Sequence, residues 1–264
     1  MTYPGGKGAS GVAQTIINQQ PPHTTYVELF LGGGAVMQAK RPASFNIGFD
    51  LAAGPIANFQ AVQIPHSHFY RQCGIAFMET DAWDLERTSL IYCDPPYVLS
   101  ARCRPNRKLY QYEMTDVDHR RFLRAALALR CMIQISGYWS PLYAEMLEGW
   151  RLVKFMAMTR GGLKEECLWM NYPEPAALHD YRFLGADFRE RERIKRKTSR
   201  WTARIAALPQ LERLALLSAM TAESVNCGGP GSHAESRERT RRSTADSTIP
   251  AIGDRYSPAL EVLQ

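Results

Sequence analysis

Paired cysteines are the first thing this chain lacks. Its six cysteines, Cys73, Cys93, Cys103, Cys131, Cys167 and Cys227, are scattered and form no C-x-x-C pair. That spacing argues against a zinc module or a disulfide framework and predicts reduced thiols. His66, His68 and Cys73 lie near one another in sequence, but no fourth ligand accompanies them, so no metal is expected. No run approaches the ~18 apolar residues of a membrane span, and the N-terminus has no basic-then-apolar leader pattern. A soluble, cytoplasmic chain with no membrane partner is therefore expected. Two phosphate-binding signatures are missing as well. The loop Tyr3-Pro4-Gly5-Gly6-Lys7-Gly8 has no strand before it and no hydroxyl after its lysine, so it is not a P-loop. The dinucleotide fingerprint G-x-G-x-x-G fails at Met37, where its third glycine would stand.

What is present is ordinary in bulk and specific in detail. The 264 residues are 45% hydrophobic, enough for one main α/β domain with a substantial core. A formal charge of +6 is compatible with a polyanionic partner without requiring one. Tyr26-Val27-Glu28-Leu29-Phe30 reads as a strand, Gly32-Gly33-Gly34 as a turn, and Ala35 to Lys40 as a helix. Glycines at that junction let a ligand approach the backbone at a helix N-terminus. Ser44 to Asp50 gives a second strand ending in an acid, about twenty residues past the turn, the spacing at which nucleotide-binding α/β folds hold ribose hydroxyls. Ile75 to Asp81 is expected as a weaker strand followed by an acid. Leu90 to Cys93 is a stronger one, leading into Asp94-Pro95-Pro96-Tyr97. Recurrence of strand, acid and helix predicts an open, mostly parallel sheet with its ligand groups at the carboxyl ends of the strands.

Beyond Tyr97, the stretch Arg102 to Tyr112 interleaves Arg102, Arg104, Arg107 and Lys108 with Tyr110 and Tyr112. Cations attract phosphates and rings stack on exposed bases, although a solvated basic loop has the same composition. Thr115 and Asp118 predict a capped helix, Cys131 to Ser136 a further strand, and Arg151 to Met158 with Glu166 to Asn171 a hairpin around Arg160-Gly161-Gly162. The expected sheet is thus mixed, with a reversed strand in a C-terminal hairpin. Two helices follow, the first strongly basic between Asp187 and Arg204, and from about Glu223 the polar composition predicts disorder. The expected division is 1–178 for the α/β domain, 179–222 for the basic helical segment and 223–264 for the tail.

Taken in order, the Y-x-G-G-K loop, Phe30-Leu31-Gly32-Gly33-Gly34, Asp50 and Asp94-Pro95-Pro96-Tyr97 resemble the Dam-like, D12-class adenine-specific DNA methyltransferases. The resemblance runs from about Tyr3 to about Asn171. It implies a Rossmann-like class I methyltransferase fold, S-adenosylmethionine as cofactor, double-stranded DNA as partner, and methylation of a flipped-out adenine at N6. It further implies that Tyr3, Lys7, Phe30, Gly32, Gly34, Asp50 and, less directly, Asp81 surround the cofactor together with Asp94. Asp94, Pro95, Pro96 and Tyr97 would hold the target base, with Tyr97 stacked on its face. Arg102, Arg104, Arg107, Lys108 and Tyr110 would contact nucleic acid. The same grip suits cytosine N4 or an RNA adenine, and a binding relative without catalysis is a further alternative. One departure is plain: Leu51 to Cys93 leaves too little room for the large target-recognition insertion of bigger relatives.

Overall fold

β1 (Thr25–Leu29) is an inner strand, third in a seven-stranded sheet, and is buried along its whole length in the computed structural model. The structure describes residues 7–8, 11–80, 82–102, 108–159 and 162–226. β1 pairs in parallel with β2 (Phe45–Asp50) on one side and with β4 (Ser89–Cys93) on the other. β3 (Ser67–Arg71) and β5 (Met132–Gly137) extend the two sides, again in parallel. β7 (Gly162–Met170) runs antiparallel to β5 and forms a hairpin with β6 (Arg151–Thr159). The order β3-β2-β1-β4-β5-β7-β6 is that of a Rossmann-like mixed α/β sheet, as expected from the sequence.

Both faces of the sheet are covered, which is why β1 and β4 read as continuous apolar runs rather than as alternating ones. Val27, Leu29, Ile91 and Cys93 point into a core shared with α4 (Gly74–Thr80), α5 (Asp116–Ala128) and α6 (Pro141–Met146). Tyr26, Leu90 and Tyr92 point the other way, into a core built with α1 (Val12–Ile17), α2 (Ala35–Ala39) and α3 (Ala53–Gln60). Burying each such side chain contributes ~1.5–3 kcal/mol, so the two layers together outweigh any surface feature. α5 starts at Thr115, whose hydroxyl accepts from the Asp118 amide while Asp118 accepts from the Thr115 amide. That reciprocal cap matches expectation.

One element differs from expectation. The stretch 75–80 is helix α4 and the third strand lies earlier, at Ser67–Arg71. Gly74, Ile75, Phe77 and Met78 are buried at helical spacings, and the close approach that seats α4 is visible at Gly74, where a Cβ would stand 3.2 Å from that of Leu29. β3 is an edge strand and only half-buried, so its sequence carries little apolar signal. Asp81 lies outside the described residues.

The chain divides into units 1–206 and 207–264. α7 (Phe188–Ala206) belongs to the first and α8 (Gln210–Asn226) to the second. α8 continues four residues past the expected boundary at 222. The rest of the expected disordered tail lies outside the described residues.

Candidate active site

Register brings the carboxyl ends of the parallel strands level. Leu29 of β1 is opposite Phe49 of β2 and Cys93 of β4, so Phe30, Asp50 and Asp94 leave the sheet side by side. This is the point where successive strands turn in opposite directions from β1, the usual ligand crevice of such sheets. Here a cleft with a cavity volume of about 250 Å³ is lined by Phe30, Phe49, Asp50 and Asp94, with Tyr110 and Tyr112 among its walls.

The turn after β1 is tightly built. Phe30, Gly32 and Gly34 all have positive φ, at 58°, 49° and 53°. Gly34 is obligatory, because a Cβ there would stand 2.1 Å from the Phe59 ring. Asp50 fixes the turn from β2: its Oδ2 accepts the Gly32 amide at 2.8 Å and its Oδ1 accepts the Ala52 amide at 2.7 Å. Burial raises the Asp50 pKa, against those two hydrogen bonds.

Asp94 follows the last residue of β4, with its two oxygens in different circumstances. Oδ1 lies 2.9 Å from the Lys7 ammonium and accepts the Ser136 hydroxyl at 2.9 Å. Tyr92 in turn supports Ser136 through its hydroxyl, at 3.0 Å. Oδ2 is engaged by no described residue. Asp94 keeps 21% of its side-chain exposure, whereas Lys7 has 5%. Lys7 also donates to the Tyr97 hydroxyl and lies 3.6 Å from Glu166 Oε2, and Tyr97 donates to that same oxygen at 3.2 Å. Burial opposes the charge on Lys7, but the Asp94 and Glu166 carboxylates overcome it and hold the ammonium pKa above its ordinary value. Burial raises the pKa of Glu166, with Lys7 opposing and Asp94 adding to the rise. Two carboxylates thus share one ammonium.

Of the residues expected at the site, Lys7, Phe30, Gly32, Gly34, Asp50, Asp94, Pro96 and Tyr110 are described at or around this crevice, and Pro95, between Asp94 and Pro96, is buried. Tyr97 differs from expectation: it is 7% exposed, meets Tyr138 edge-on at 4.5 Å and is not in the wall of the cleft. It orders Lys7 and Glu166 instead. Arg102 differs too. It is buried, its guanidinium grips Glu113 at 3.0 and 2.7 Å, and its Nε donates to the Tyr97 carbonyl at 2.8 Å. Glu113 also accepts the amides of Leu109 and Tyr110; despite partial burial, these contacts hold its pKa down at about 2. Arg102 is therefore the internal clasp of the loop rather than an exposed phosphate contact, because it is buried and its charge is paired with Glu113. Lys108 is exposed. Tyr3, Arg104 and Arg107 lie outside the described residues.

Glu166, Ser136 and Glu113 were not read from sequence as site residues. Glu166 had one available signal, an acid at the head of the apolar run Cys167 to Met170 in a strand of the expected hairpin. Among the described residues, no group of His, Cys, Asp and Glu could hold a metal ion, and no helix is long and apolar enough to cross a membrane.

No protein-family model matches this chain, and no curated protein matches it in sequence. Solved structures similar to it include three with low identity. N-methyltransferase NodS from Bradyrhizobium japonicum WM9 is 8% identical, with 61% of this chain and 93% of that one covered and a TM-score of 0.42. Magnesium protoporphyrin IX methyltransferase from Synechocystis PCC 6803, with bound SAM, is 12% identical over 61% of this chain and 77% of that one, at 0.39. Precorrin 8W decarboxylase from Methanobacterium thermoautotrophicum is 10% identical over 65% and 94%, at 0.41. Likenesses at this level carry no weight for cofactor or substrate.

Proposed function

We propose that this chain is an S-adenosylmethionine-dependent methyltransferase acting on the N6 amine of an adenine flipped out of double-stranded DNA. The observation that carries the reading is the asymmetry of Asp94. Two donors fix Oδ1, while Oδ2 is left for a ligand at the mouth of the cleft. A planar exocyclic amine needs that kind of acceptor, because its lone pair is delocalised into the ring and becomes nucleophilic only when its N–H bonds are held out of plane.

The residues present fit the cofactor. Phe30 and Phe49 supply apolar wall and Asp50 an acid for ribose hydroxyls, while Gly32 and Gly34 shape the turn beside them. Lys7 acts on the other side, through Asp94, and Tyr3 and Asp81 keep only the roles that the family resemblance implies. Bound there, S-adenosylmethionine supplies an electrophilic methyl group in a direct in-line displacement.

The chain's own part is orientation and charge. Asp94 Oδ2 accepts one amine N–H, and the Pro95 carbonyl, on a backbone stiffened by two successive prolines, accepts the other. Lys7 and Ser136 stop the carboxylate from rotating. As nitrogen gains positive charge, Asp94 and Glu166 together exceed the single charge of Lys7, so the site favours that charge. The displaced amine proton then leaves to water. Extrusion of the base costs a few kcal/mol, and Tyr110 and Tyr112 on the cleft wall offer the rings on which it could stack.

Transfer of labelled methyl from S-adenosylmethionine to duplex DNA tests the reading, followed by nucleoside analysis of the product. Asp94→Ala is expected to lower the rate by about 10²-fold or more, with cofactor binding by calorimetry retained. Full activity in that variant overturns the mechanism. Labelled N4-methylcytosine, or transfer to RNA alone, moves the substrate assignment; cofactor-free behaviour in calorimetry favours a binding relative.

A further inference from the structure

With Arg102 committed to Glu113, the loop after Tyr97 has one cation fewer to offer phosphates, and a longer row of exposed cations stands on α7. α7 carries Arg189, Arg193, Arg196, Lys197, Arg200 and Arg204. At ~100° per residue these six fall within one sector of about 100° of the helix circumference, spanning ~22 Å along its axis. No acid falls inside that sector. Glu190 and Glu192 flank it near the first turns, and each pairs with a neighbour, Arg193 and Lys195 respectively. From Arg193 to Arg204 there is no acidic residue at all. All six cations are exposed, and α7 has no buried residue.

The helix is nevertheless attached to the catalytic unit at its start. Arg191, which points away from the cationic sector, lies over Gly11 so closely that a Cβ there would stand 2.6 Å from its guanidinium. Gly11 caps α1, four residues after Lys7. Glu190 further ties the first turn by accepting the Ala186 amide at 2.9 Å. A helix anchored beside the Lys7 loop and cationic along one exposed face has the form of an arm.

We propose that the face of α7 formed by Arg189, Arg193, Arg196, Lys197, Arg200 and Arg204 is a docking surface for the phosphate backbone of double-stranded DNA. The choice of DNA rests on the reading of the active site given above; the polyanion itself is called for by charge alone. Six like charges in one sector repel one another, and a surface of regularly spaced phosphates is the complement that removes the repulsion. A row of ~22 Å compares with ~34 Å for one duplex turn, so several phosphates lie within its reach. An acidic lipid surface is a poorer match, because a helix lying in a membrane interface needs a broad apolar side and the adjacent sector offers only Ile194, Trp201 and Ile205. Binding of this kind carries no sequence preference.

The test compares two charge-matched variants of the full chain, R196Q/K197Q/R200Q on α7 and R120Q/R124Q/R130Q around α5, all at exposed positions. Glutamine keeps helix propensity. Binding to a duplex of about two turns is measured from 0.05 to 0.2 M salt, with circular dichroism as the fold control. The α7 variant is expected to weaken binding at least about ten-fold at 0.1 M salt and to reduce the slope of log K against log salt by about 3, roughly one for each phosphate no longer neutralised. The α5 variant leaves both nearly unchanged. Equal losses in the two variants, or no change in slope, overturn the arm, as does tighter binding to anionic phospholipid vesicles or to duplex RNA than to DNA. DNA methylation that is indifferent to the α7 substitutions overturns the arm and leaves the catalytic reading standing. Duplex binding through α7 without methyl transfer does the reverse.

Discussion

At the carboxyl end of the sheet, Lys7 keeps its charge between Asp94 and Glu166. Glu28 on β1 and the neighbouring Lys40 are just as deeply buried, but there burial disfavours the charged forms. Glu28 is 3% exposed and Lys40 2%. Burial pushes the Glu28 carboxyl up to about 8, against the Tyr26 hydroxyl that donates to it at 2.9 Å. Burial likewise brings the Lys40 ammonium down to about 7, although Glu28 and Asp180 favour its charge. Lys40 lies 4.1 Å from the Tyr26 ring centroid and donates to the Arg41 carbonyl at 2.9 Å, but makes no ion pair among the described residues. Direct contact separates the two regions. An ammonium at 2.9 Å from a carboxylate offsets its desolvation, whereas charges related only at longer range are quenched by burial. Charge is therefore retained at the crevice, where the proposed chemistry needs it.

The most damaging way to break that contrast is Lys7→Met. It leaves Asp94 and Glu166 facing each other without a cation, and an expected loss of about 3–5 kcal/mol follows from leaving buried charge uncompensated. Urea denaturation at pH 8 measures it, and adding Glu166→Gln to Lys7→Met should restore much of the loss. A loss below about 1 kcal/mol would mean that the trio is not held together by charge.

Glu28→Gln sharpens the contrast through pH. A carboxyl whose folded pKa lies above its unfolded value binds an extra proton in the native state. Its contribution is complete below the unfolded value near 4.5 and is lost as pH rises through about 8. The variant lacks that decline, so its stability relative to the natural protein should increase steadily from pH 5 to pH 8. A pH-independent difference between the two denaturation midpoints would contradict the raised value.

The smallest effect is expected from Lys40→Met. Its folded pKa is depressed from the ordinary 10.5 to about 7, so its contribution is complete above the unfolded value and is lost as pH falls from about 10.5 through about 7. The thioether of the variant has no such proton to shed, so its stability relative to the natural protein should rise steadily as pH falls from about 10 to about 7, and at pH 6 the variant should be the more stable protein. A large loss at pH 9 would show that Lys40 acts as a cation after all.

Much of this arrangement was legible in the sequence, for a local reason. Asp50 and Asp94 each end an apolar run, and in a parallel sheet the residue after such a run emerges at the ligand end whatever the rest of the chain does. The glycine turn and the Thr115 cap are equally local. What could not be read depended on distant partners. Glu166 lies inside a strand expectation, and its meaning comes from Lys7 and Tyr97. Arg102 has the composition of a free cation until Glu113 is seen to occupy it. Ile75 to Thr80 carries apolar residues compatible with either period, and only the packing of Gly74 against Leu29 decides for helix. On α7 the opposite holds: the cationic sector follows from sequence spacing once the helix is known, because its six cations are exposed rather than fixed by distant partners.

The position of β7 has a consequence for synthesis. Ninety residues separate Lys7 from Tyr97, and a further 69 separate Tyr97 from Glu166, while β7 must insert between β5 and the earlier-made β6. A nascent chain that has emerged only as far as β6 already holds the cleft residues Asp50 and Asp94, but not the carboxylate that completes the Lys7 trio. Assembly of the site is therefore among the last events of folding, set by long-range closure, and a growing chain cannot form the complete charge trio before its own sheet is finished.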